Sequence, residues 1–80
     1  MNLDQAPLSA VWRVARVRVS AGREDQARQL EEIGFLPGEP VCVMSRGLFG
    51  ADPLAVRVGL STFALRREEA ACIELEPADA

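Results

Sequence analysis

Between Arg13 and Val19 small or branched side chains alternate with arginines. The run Ala15-Arg16-Val17-Arg18-Val19 has a period of two and predicts a half-buried strand with Arg16 and Arg18 turned to water. Ser20-Ala21-Gly22 interrupts it, and the period changes. From Arg23 to Ile33 the apolar positions Ala27, Leu30 and Ile33 recur every third residue, and Glu24 and Asp25 stand in the first turn, where carboxylates complement the helix dipole. This predicts one short amphipathic helix. Its end is the best-specified point of the chain. Gly34 can take a positive φ just past the last turn, and Phe35 can fold back onto Leu30 in the apolar contact of a Schellman cap.

Pro37 fixes φ at the second position of a turn and Gly38 allows a positive φ at the third, so Leu36-Pro37-Gly38-Glu39 predicts a type II turn feeding a second strand from Glu39. There Val41 and Val43 share one face, Cys42 and Met44 the other. Gly47, Gly50, Asp52 and Pro53 mark a loop back into a third strand, Leu54 to Gly59, with Leu54, Val56 and Val58 on one face. A turn at Gly59-Leu60-Ser61 precedes a fourth strand, Thr62 to Arg66, in which Phe63 and Leu65 share a face. Arg67-Glu68-Glu69-Ala70 reads as one helical turn, and Cys72 to Glu76 as the fifth strand. The prediction is a mainly β fold: a small five-stranded barrel, closed or nearly closed, which would remove unpaired sheet edges. It has one short α-helix between the first two strands and a helical turn before the last. Residues 1–80 form a single domain, with 1–10 a loose lead-in packed by Leu8 and Val11, and 77–80 a tail.

Composition narrows the function. Eighty residues, 49% hydrophobic and 26% charged, describe one compact domain with a thin core. Nine basic against twelve acidic residues give a net charge of −3, which removes the electrostatic attraction that sequence-independent nucleic-acid binding needs. No apolar run approaches the ~20 residues of a membrane span, and MNLDQAPLSA lacks the features of a signal peptide, so a cytoplasmic location is expected. Cys42 and Cys72 form no framework of spacings and are expected to be reduced there, although spacing alone does not exclude a disulfide.

In order and spacing these landmarks resemble the FeoA domain, the SH3-like module that accompanies the bacterial membrane transporter of ferrous iron. The matching positions are Leu30 and Gly34, Pro37-Gly38-Glu39-x-Val41, Asp52-Pro53-Leu54, Val56, Val58, Gly59, Leu65-Arg66-x-x-Glu69-Ala70 and Ile73. The resemblance implies an SH3-like barrel acting as a non-enzymatic accessory of iron uptake. Its partner would be the cytosolic domain of a FeoB-type transporter, through which it would be peripheral to the membrane. Similar barrels form the C-terminal domain of iron- and manganese-dependent repressors, the alternative reading. No helix-turn-helix precedes the barrel here, which favours the accessory. The chain departs from the family pattern at Val11-Trp12-Arg13, where a glycine is common, and in the longer approach Leu48-Phe49-Gly50-Ala51.

Catalysis has little to work with: there is no histidine, lysine or tyrosine, and the adjacent Glu68 and Glu69 diverge on a helical turn. No phosphate loop is present, so no cofactor is expected. Cys72, Glu74 and Glu76 share one face of a regular fifth strand and are weak candidates for a divalent ion, but neither cysteine belongs to a C-x-x-C pair. If the first and last strands pair antiparallel, Arg16 and Arg18 come near Glu74 and Glu76 as structural cross-strand pairs. The candidates for partner binding are Leu48 and Phe49, then Trp12. Leu48 and Phe49 have an alternative role, folding over the open end of the barrel. Leu30, Gly34, Phe35, Pro37 and Gly38 are assigned to structure.

Overall fold

The computed structural model describes residues 1–47 and 52–78. Five strands, β1 (Val11–Val17), β2 (Pro40–Arg46), β3 (Leu54–Val58), β4 (Ser61–Leu65) and β5 (Ile73–Pro77), form one antiparallel sheet in the order β4-β3-β2-β1-β5. Helix α1 (Glu24–Ile33) joins β1 to β2, and the single turn α2 (Arg67–Ala70) joins β4 to β5. Every strand and helix expected from the pattern is present within two residues at either end. Closure is less complete than expected, because β4 and β5 are not paired with each other and remain the two edges of the sheet.

The inward set follows period two: Val41 and Val43 from β2, Leu54, Val56 and Val58 from β3, Leu65 from β4, and Ile73 and Leu75 from β5 are all buried. On β1 the alternation is broken by a register shift between Val14 and Arg16, so Val14 is buried and Val17 is packed against the core from the next inward position. A ten-residue helix is marginal alone, and α1 is held by burying Ala27 and Leu30. At its end the Phe35 N–H donates to the Leu30 carbonyl (3.1 Å) and the Gly34 N–H to that of Glu31 (3.1 Å), the bond pair of a Schellman motif, with Gly34 at φ +134°. Phe35 is fully buried, which favours folding by about 1.5–3 kcal/mol. Gly38 at φ +92° and a bond from the Glu39 N–H to the Leu36 carbonyl (3.0 Å) complete the expected turn.

The N-terminal segment is not the loose lead-in expected. Leu3–Gln5 forms a 3-10 turn whose Leu3 is fully buried, Ala6 is buried beside it, and both belong to the main core. The Leu75 N–H donates to the Met1 carbonyl (2.8 Å), so residues 1–2 lie along the free edge of β5. Arg46 holds the segment from the other side, its guanidinium donating to the carbonyls of Asp4 (3.2 Å) and Ala6 (2.7 Å). Leu8 and Val11, expected to pack the turn, are instead 51% and 57% exposed. The polar Asn2, Asp4 and Gln5 disguise this segment, since a 3-10 turn with one inward leucine has no period to read.

Candidate functional site

Since Val41, Val43, Val56 and Val58 take the inner face of β2 and β3, their neighbours Pro40, Cys42, Met44 and Arg57 must face outward. Pairing aligns Val11 with Cys42 and Cys42 with Arg57, so one cross-strand row runs over three strands. Around this row lies an open groove of about 330 Å³ whose side chains are Val11, Pro40, Cys42, Met44 and Arg57, with Gly59 at one end. Met44 is 45% exposed. Arg57 is exposed and makes no hydrogen bond or ion pair with any described residue. The arrangement is an apolar strip beside one cation that pairs with no described residue.

The weak metal set does not assemble. Glu74 accepts from Arg16 (3.1 Å) and Arg18 (3.4 Å), and the Arg16 hydrogen bond, aided by the charges of both arginines, holds its carboxyl below the ordinary value despite some desolvation. Glu76 lies opposite Arg13, not Arg18, and is exposed. Cys72 precedes β5 and points its thiol toward the Glu68 carbonyl (3.6 Å) and Gln26 Oε1 (4.0 Å). Among the described residues no three His, Cys, Asp or Glu side chains converge on a point where a metal ion would sit. Both cysteines are free thiols.

A second, polar cleft of about 370 Å³ lies between the N-terminal turn and α2, lined by Asp4, Asp52, Arg66, Arg67 and Glu68. Within it Asp52 Oδ1 accepts from the Arg67 backbone N–H (2.8 Å), anchoring the start of α2. Trp12 is half-buried and packed against the core, with its indole Nε1 buried and unpaired, so little of it is offered to a partner. Leu48 and Phe49 lie outside the described residues. Sequence reasoning passed over Val11 and Arg57, yet the signal was there in part: two apolar side chains, Cys42 and Met44, on the face of β2 opposite its valines. No helix among the described residues is long and apolar enough to cross a membrane.

No curated protein matches the chain. Among solved structures, the crystal structure of Stenotrophomonas maltophilia FeoA complexed with zinc, an SH3 domain protein, superposes with a TM-score of 0.86 at 37% identity, covering 95% of this chain and 89% of that one. The solution structure of iron(II) transport protein A from Clostridium thermocellum gives 0.82 at 28% identity, covering 99% of this chain but only 46% of that one. A manganese-dependent transcriptional repressor shares the fold, with a TM-score of 0.76 at 22% identity over 91% of this chain and 39% of its own. The FeoA domain matches residues 1–77, nearly the whole length; the chain belongs to the FeoA family.

Proposed function

We propose that this protein is a non-enzymatic, cytoplasmic accessory of bacterial ferrous iron transport that docks on the cytosolic domain of a FeoB-type transporter and modulates uptake. Family membership supports the transport setting, and the S. maltophilia relative has been put forward as a ferrous iron transport activating factor. The observation that carries docking is the open groove of Val11, Cys42 and Met44 beside Arg57, which pairs with no described residue. Apolar anchors supply most of the energy of an interface, and a lone cation at the rim selects a partner of opposite charge. The occupant is therefore an apolar segment of the transporter carrying a carboxylate placed to meet Arg57.

The test is calorimetric titration of the transporter's cytosolic domain with three variants, Val11→Ser/Met44→Ser, Arg57→Glu and Leu48→Ser/Phe49→Ser, alongside ferrous iron uptake in cells. The first two should weaken binding at least about tenfold, or 1.4 kcal/mol, while far-ultraviolet dichroism stays that of the parent, and uptake should fall with binding. A loss confined to Leu48→Ser/Phe49→Ser moves the docking surface to the loop. Parent-like binding by all three would sink the reading. The repressor-like alternative rests on fold alone and predicts no affinity for the transporter at all.

A further inference from the structure

The two edges of the sheet are treated differently. Residues 1–2 lie along β5, whereas no described residue pairs with the outer side of β4. Gly59 at φ +57° opens the two-residue turn that pairs Val58 with Ser61, and antiparallel alternation then directs Ser61, Phe63 and Leu65 toward β3 for hydrogen bonding. The N–H and C=O of Thr62 and Ala64 point away from the sheet, and both residues are exposed. Proteins usually blunt such an edge with lysine, proline or a bulge. Ser61-Thr62-Phe63-Ala64-Leu65 has none of these: no charge, no proline, and a continuous register with β3.

We propose that β4 pairs antiparallel with β4 of a second copy of this chain, about a two-fold axis at Phe63. That operator sets Thr62 of each copy opposite Ala64 of the other, where the two exchange both backbone bonds, and brings the two half-buried Phe63 rings together as a cross-strand aromatic pair. The ends of the edge are also complementary. The Glu39 carboxylate sits against Gly59 at one end, and Arg66, whose guanidinium bonds to no described residue, stands at the other. An antiparallel two-fold exchanges these ends and carries each Arg66 over the other copy's Gly59–Leu60 turn, where the 95% exposed Leu60 meets its aliphatic stem. Only two residues per strand bond across the axis, so the association is weak and depends on concentration.

Sedimentation equilibrium from micromolar to millimolar protein should show a monomer–dimer equilibrium, and the amides of Thr62 and Ala64 should gain protection from hydrogen exchange as the dimer fills. Ala64→Pro removes an N–H that β3 does not use, a position where an edge strand tolerates proline, and should lower the association constant about tenfold or more. If that variant fails to fold, the amide protection in the parent decides the matter alone. A chain that stays monomeric throughout overturns the proposal, as does a dimer whose protected amides lie elsewhere. Protection of Thr62 and Ala64 only on adding the transporter's cytosolic domain also overturns it, and shows that the edge takes a strand from that partner.

Discussion

Replacing Leu3 with alanine tests whether the N-terminal segment is part of the core. The side chain is fully buried within the main cluster, so the substitution loses the transfer free energy of most of a leucine and leaves a cavity. Buried leucine-to-alanine changes cost about 2–5 kcal/mol, while a domain of this size, at ~0.05–0.15 kcal/mol per residue, has about 4–12 kcal/mol in total. The side chain of Leu3 alone should therefore account for about a sixth of the stability at the least, and about half at the middle of both ranges. With a urea slope near ~1.5 kcal/mol/M, the midpoint should fall by at least about 1.3 M. Leu60→Ala, at a position 95% exposed, is the control and should shift it by less than about 0.5 kcal/mol. Equilibrium urea titration followed by tryptophan fluorescence gives both numbers, since Trp12 packs against the core. If Leu3→Ala unfolds within about 0.3 M of Leu60→Ala at this slope, residues 1–6 are not docked in solution and the account of the core is wrong.

Arg46→Met should cost about 1–3 kcal/mol, because it leaves the Asp4 and Ala6 carbonyls without their partner, and exchange should then accelerate first at the Leu75 amide that binds Met1. Gly34→Ala should cost about 1–2 kcal/mol from backbone strain at φ +134°, since an added Cβ would meet nothing closer than Val58 Cγ1 at 3.9 Å; an unchanged melting midpoint would count against the cap. Glu74 has a carboxyl held below its ordinary value in the folded protein. Its contribution to stability is therefore present above about pH 4.5 and lost as the pH falls through the folded value, so the midpoints of the parent and Glu74→Gln should converge in acid. A gap that stays constant with pH would show that the pairs with Arg16 and Arg18 contribute nothing.

The fold was legible wherever a period or a special φ spoke for itself. The alternation of Val41 and Val43 against Cys42 and Met44, and the spacing of Leu30, Gly34, Phe35 and Pro37, each admit one local solution. Three features were not. Leu3 sits among polar residues in a turn too short to repeat, so its burial depends on where β5 and Arg46 end up. The Glu76 pairing turned on a one-residue shift after Val14, which no side chain announces. The groove needed the register of three strands before Val11, Met44 and Arg57 could be seen as neighbours. For the same reason Cys72, one residue outside β5, parted from the glutamates it was grouped with.

The bond from Leu75 to Met1 ties together residues that lie almost the whole chain apart. During synthesis Leu3 leaves the ribosome before β2, α2 and β5, and its surroundings are complete only when β5 has followed it out. A nascent chain stalled before Ile73 would therefore lack β5, and with it the edge along which residues 1–2 lie. Closing so long a loop is slow compared with forming α1 or the β3–β4 hairpin, so maturation of this small domain should be governed by the meeting of its two ends.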